Sequence, residues 1–183
     1  MSAPASPMDG LIAREPLPAF ALAVYGTAGV PPACLLLQER RGIDVNLLLF
    51  AAFLGAVRGE ALTPAGLARA IETVGPWHGE VVRGLRAVRQ RLKAGPPPAP
   101  NTVTAALRAK VQAVEIEAEL IELSELGRLA HTLGAPPAAG PPDTRARAAM
   151  AGVVAGAPLD EAEQAALACI AAAAQQAATA REH

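Results

Sequence analysis

Aromatic side chains are nearly missing from this chain: one Trp, one Tyr and three Phe make up 3 % of 183 residues. A core so poor in rings has to be built from Leu, Val, Ile and Ala. Ala and Leu favour helices and are neutral or depleted in strands, so an all-α fold is expected. Charge is also sparse, 18 % of residues with a net −1, and the pI is near 6.3. No global electrostatic footprint for nucleic acid or anionic lipid results. The two cysteines, Cys34 and Cys169, lie far apart in apolar stretches, which excludes a disulfide framework and a CxxC metal pattern. Residues 1–16 lack a basic segment followed by a continuous apolar run, so no signal peptide is read there. The longest hydrophobic run, residues 45–57, is about 13 residues where a membrane helix needs ~20. The expectation is a soluble, cytoplasmic protein that does not enter a membrane.

Hydrophobic residues nonetheless reach 52 %, enough for a real core, and 17 Pro with 16 Gly punctuate them. Residues 1–15 read as a disordered tail. A first helix is expected over residues 18–25, and a second opens at Pro31-Pro32 and stops at Gly42. Asp44 is a suitable N-cap for a third, residues 45–58, which is apolar all round and so belongs at the centre of a domain. Thr63-Pro64 opens a fourth helix, expected to end at Gly75. The fifth, residues 76–94, carries one apolar stripe of Trp77, Val81, Leu85, Val88 and Leu92.

The sixth helix, residues 102–133, shows two apolar edges. Val103, Leu107, Val111, Val114 and Ile121 form one; Ile116, Leu120 and Leu123 form the other, with Glu115, Glu119 and Glu122 between them. A helix with two such edges must be covered from two sides, which makes Ile116, Leu120 and Leu123 a candidate partner surface. Beyond a Pro-rich linker at residues 134–142, two Ala-rich helices form a hairpin over residues 143–183. Small side chains bury little area, so this hairpin is expected to be the less stable part. The resulting architecture is a compact helical bundle, residues 16–133, with one long amphipathic helix and an Ala-rich C-terminal helical hairpin, which either packs on the bundle or swings on its linker.

Residues 20–54 are the most distinctive. Ala33-Cys34-Leu35, Leu37-Gln38, Gly42 and Asp44-Val45-Asn46-Leu47-Leu48-Leu49-Phe50 resemble an ACL-x-LQ…G-x-DVNLLLF signature. It marks a small family of proteobacterial helical proteins known as a domain of unknown function. The likeness continues through Trp77, Val81-Val82, Leu85-Arg86 and Arg89 into the helix holding Glu115 and Leu126. It implies a compact helical domain in the cytoplasm of a bacterium, and no activity.

Chemistry is thinly signalled. A polar cluster of Tyr25, Cys34, Gln38, Asp44 and Asn46 beside the third helix could line a small-ligand pocket, with Asp44 as base or cation-holding carboxylate. The bland alternative is that Asp44 caps its helix while Gln38 and Asn46 satisfy backbone groups. Cys34 as a nucleophile would need a base, and no histidine is tied to it by spacing; a buried inert thiol is the simpler expectation. The acidic run from Glu115 to Glu125 lacks the Glu-x-x-His pattern of di-iron bundles and reads as a solvated face, so no metal site is expected. Phosphate loops are missing, and no cofactor or catalytic residue is assigned.

Arg83, Arg86, Arg89 and Lys93 form a basic face that could touch phosphates, but without aromatic platforms it is expected to meet solvent or pair with the neighbouring glutamates. The leading functional expectation is a non-enzymatic module that binds a protein, a second copy of itself included. A ligand-binding or enzymatic pocket at Gln38, Asp44 and Asn46 is the alternative, and nucleic-acid association through the basic face comes third.

Overall fold

The computed structural model describes residue 10 and residues 15–181. The expected tail, residues 1–15, therefore lies almost entirely outside the described residues. Eight α-helices are present among them: α1 Pro16–Tyr25, α2 Val30–Arg41, α3 Val45–Phe53, α4 Pro64–Trp77, α5 Arg83–Ala94, α6 Thr102–Ala130, α7 Pro142–Val153 and α8 Glu161–Thr179. No single described helix is long and apolar enough to cross a membrane.

Local chemistry accounts for most boundaries. Gly42 ends α2 with φ 63, a conformation that costs glycine no Cβ clash, and its N–H bonds the Gln38 carbonyl. The Thr63 hydroxyl accepts the Gly66 N–H at 3.0 Å, and Asn101 and Thr104 form a reciprocal capping box at the start of α6. Asp160 and Glu163 do the same for α8. In α7, by contrast, Pro141 takes the cap position and Asp143 falls inside the first turn.

One expected break is absent. Gly75-Pro76 does not end a helix: α4 runs through Pro76 into a π-turn, His78–Val82, and on into α5 with helical backbone at His78. Proline lacks the N–H that would bond four residues back, and the wider π-turn directly after it absorbs the mismatch while the chain stays helical.

Every residue of α3 from Asn46 to Phe53 is buried, as an all-round apolar helix requires. A second π-turn, Leu54–Arg58, extends α3 and brings it against α7. A Cβ on Gly55 would stand 2.5 Å from the Arg145 carbonyl carbon, so only glycine permits this crossing. The Arg145 guanidinium then bonds the Gly55 carbonyl at 2.8 Å and the Gly140 carbonyl at 2.8 Å.

The Ala-rich hairpin packs on the rest of the bundle. Residues of α7 and α8 share one hydrophobic cluster with α1, α2, α3 and α6. Arg41, at the end of α2, reaches α8 through Glu163 at 2.6 Å and also bonds the Ala157 carbonyl at 2.8 Å. The Pro-rich stretch before α7 is tied down as well, by Ala61 N–H to the Pro136 carbonyl and Ala138 N–H to the Gly59 carbonyl, both 2.8 Å.

The candidate partner surface on α6 needs correction. Leu120 and Leu123 are 6 % and 4 % exposed and belong to the core, packed toward α1 and α3; only Ile116, at 43 %, faces outward. The second apolar edge is covered by the protein's own helices. The first edge stays open on the N-terminal half of α6, where Val103, Leu107 and Val114 are exposed. There α6 pairs with α5, which contains no buried residue.

Candidate functional site

Three elements meet at Asp44. Its carboxylate caps α3, Oδ1 accepting the Asn46 N–H at 2.8 Å. The other oxygen, Oδ2, lies 3.2 Å from His78 Nδ1, and that same nitrogen is 3.2 Å from Glu122 Oε2. The cap and the site carboxylate are therefore one residue, with one oxygen for each task.

His78 opens the π-turn between α4 and α5, and the turn's wider winding places the ring over α6. Trp77 beside it donates its Nε1–H to the Ala118 carbonyl at 3.0 Å, which fixes the level at which the two helices meet. Glu122, one helical turn beyond Ala118, has no exposed side-chain surface, and its Oε1 has no hydrogen-bond partner among the described residues.

Burial and the neighbouring Glu122 push Asp44 up to about 7, against the opposing pull of His78 and the Asn46 N–H. The hydrogen bond that His78 donates to Glu122 raises the imidazole above its ordinary value despite burial. Asp44 therefore retains its proton into the neutral range, where a solvated Asp would have lost its own.

Asp44 lines three adjoining clefts. The first, about 200 Å³, has Tyr25, Gln38, Asn46, Arg86 and Glu119 as its polar wall and an apolar floor that includes Leu49, Leu120 and Leu123. The second, about 460 Å³, passes His78, Arg83 and Arg86, and the third leads toward α4 past His78 and Val74. Four of the five anticipated pocket residues thus share one cleft. Cys34 does not: it is 1 % exposed in the core, and burial and the neighbouring Cys169 push its thiol up to about 12, which removes it as a nucleophile.

The acidic run of α6 is only partly a solvated face, with Glu117 exposed and Glu125 half-exposed. Both Glu115 and Glu122 are buried, Glu115 under Arg86 and Arg89 of α5 and Glu122 beside His78 of the π-turn. Arg86 bonds Glu115 at 3.0 Å and Glu119 at 2.6 Å, and Arg89 pairs with Glu115. Burial works to raise Glu115, but hydrogen bonds from Arg89 and Arg86 outweigh it and hold the carboxyl below its ordinary value. The basic face is divided accordingly. Arg86 and Arg89 are engaged with glutamates, whereas Arg83 and Lys93 are exposed and in no ion pair among the described residues. Such pairing leaves little free charge for a phosphate backbone.

The family model for the Protein of unknown function family DUF2390 matches residues 17–126. The chain belongs to this family. The matched stretch runs from α1 to the second half of α6 and contains Asp44, His78 and Glu122, while α7 and α8 lie beyond it. No curated protein and no solved structure matches the chain.

Sequence reasoning reached Asp44 but not His78 or Glu122. The two are 44 residues apart on separate helices, and no spacing rule links them. One signal was present: Glu115, Glu119 and Glu122 share a helix face opposite a helix carrying Arg86 and Arg89, and carboxylates facing a basic helix are candidates for burial.

Proposed function

We propose that the protein binds a small organic molecule in the cleft bounded by Tyr25, Gln38, Asp44, Asn46, Arg86 and Glu119. The observation that carries this reading is the convergence of those polar side chains over an apolar floor in a space of about 200 Å³. The ligand has an apolar body and a hydrogen-bonding head. A donor on that head meets Asp44 and Glu119, and Gln38 and Asn46 set its orientation. Burial raises both carboxyls and the Tyr25 phenol above their ordinary values, as expected of polar groups drawn together in a cleft. A bacterial cytoplasmic setting forms part of the reading, and two free thiols, Cys34 and Cys169, suit a reducing compartment.

The test is a metabolite screen by melting temperature, followed by calorimetry of the hits. Asp44→Asn keeps the cap but removes the carboxylate, and is expected to fold and to lose the stabilisation. If no compound in a broad polar–apolar panel raises the melting temperature, or if Asp44→Asn binds as tightly as the unaltered chain, the reading fails.

A second reading, contact with another protein, is favoured by a different observation. Val103, at 78 % exposed, with Leu107 and Val114, each 49 %, forms an open apolar stripe where α6 pairs with α5. Sedimentation of the unaltered chain and of Leu107→Glu distinguishes it: a self-associating protein is expected to become smaller on substitution, and a chain monomeric in both forms excludes self-association.

A further inference from the structure

We propose that Asp44, His78 and Glu122 hold one divalent first-row transition ion, a site that goes beyond the ligand cleft and uses two residues, His78 and Glu122, that do not line it. Each offers one ligand atom, and these atoms all lie within 4.8 Å of one another. His78 Nδ1 is 3.2 Å from the nearest oxygen of each carboxylate. Donors bound to one ion at ~2.0–2.2 Å stand about 2.8–3.6 Å apart in octahedral or tetrahedral arrangement, so both His78–carboxylate distances fit a shared ion.

The second observation is Glu122 itself. Its side chain has no exposed surface, yet Oε1 has no partner among the described residues. A buried carboxylate oxygen left without a donor is costly, and an ion gripped by both Glu122 oxygens, Oε2 on the His78 side and Oε1 beside it, supplies the missing partner. Asp44 Oδ1 remains on the Asn46 N–H, so the cap of α3 orients the ligating carboxylate and Oδ2 is the atom left for the ion.

One imidazole nitrogen with two carboxylates selects the ion by class. Mg²⁺ and Ca²⁺ prefer all-oxygen surroundings, and thiolate-seeking ions find no sulfur here; Zn²⁺, Mn²⁺ and Fe²⁺ accept the mixed set. Three side chains leave at least one position open toward the second cleft, where Arg83 and Arg86 stand. Those guanidiniums oppose a bare cation but favour an anionic co-ligand on it. Arg86 is also engaged by Glu115 and Glu119, which draws its charge away from the cluster.

The 183-residue chain, stripped with EDTA, is titrated calorimetrically with Zn²⁺ and Mn²⁺, with Mg²⁺ as the comparison. One Zn²⁺ or Mn²⁺ per chain is expected, with Mg²⁺ weaker. Glu122→Gln and His78→Gln should each weaken binding by more than roughly tenfold. Pulsed EPR of the Mn²⁺ form of the unaltered chain reads the donors without any substitution, and one coordinated imidazole nitrogen is expected. The proposal is overturned by no saturable binding, by binding that survives both substitutions, or by a Mn²⁺ spectrum without nitrogen coupling. Because no organic ligand is present, a failed metal titration leaves the cleft reading standing, and a failed metabolite screen leaves the metal site standing.

Discussion

Trp77 donates its indole N–H to the carbonyl of Ala118 at 3.0 Å, and a residue just beyond each of them, His78 next in sequence and Glu122 a turn along, meets the other at 3.2 Å. The indole acts as a gauge between two helices. It sets where α6 stands against the π-turn, and with it whether the imidazole faces a carboxylate. Trp77→Phe keeps an aromatic ring but removes the donor. It is expected to cost about 0.5–1.5 kcal/mol in urea unfolding; a variant as stable as the unaltered chain would show that the bond contributes nothing.

Asp44 serves cap and cluster through different oxygens, which makes its substitutions separable. Asp44→Ala should lose about 0.5–2 kcal/mol of stability, and Asp44→Asn, itself a good cap, far less. Equal losses in the two variants would mean that the cap is not what Asp44 contributes.

The same carboxyl gives a pH signature. Its value in the fold, about 7, is above that of an exposed Asp, so folding favours the protonated form. This stability is complete below the ordinary carboxylate range and is lost as pH rises through about 7. His78, also raised, shifts stability in the same direction. The melting temperature of EDTA-stripped protein should therefore fall from weakly acid to weakly alkaline pH, with a shallower slope in Asp44→Asn. An unchanged slope would place the titration elsewhere.

Glu163 titrates with the opposite sign. Hydrogen bonds from Arg41 and from the Asp160 N–H hold its carboxyl down at about 2, so the stability it supplies is present above its usual 4.5 and is lost as pH falls toward about 2. Glu163→Gln should unfold less steeply with acid than the unaltered chain. Indistinguishable acid transitions would refute the link between α2 and α8.

Gly55 faces the backbone of Arg145 at a distance no Cβ tolerates. Gly55→Ala has to push α7 away from α3 and is expected to cost about 1–3 kcal/mol. A neutral Gly55→Ala would mean that the two helices separate freely.

Much of the helix order was legible because its signals are local. Asp44 and Thr63 announce helix starts through side chains that reach only two or three residues ahead, and Gly42 announces an end through its own backbone. The run from Asn46 to Phe53 could be placed at the centre because it offers no polar face to water. Pro76 misled because proline's cost depends on the winding of the next turn, and a π-turn is not written in any residue type. Leu120 and Leu123 misled for another reason. An apolar edge states that something covers it, but not whether the cover is another protein or the chain's own α1 and α3. The site was half legible on the same grounds. Asp44 is marked by its neighbours in sequence, whereas His78 and Glu122 acquire meaning only when α4, α5 and α6 are laid side by side.

The crossing at Gly55 also decides where this chain can be cut. The family match ends at residue 126, and a fragment chosen to those limits would carry α3 without α7 and α8 over it. Phe50 and Leu54, both fully buried in the whole chain, belong to the apolar helix that such a cut would strip of its cover. A fragment bounded by the family match is thus an aggregation hazard, and the two alanine-rich helices behave as the chain's own solubilising cover.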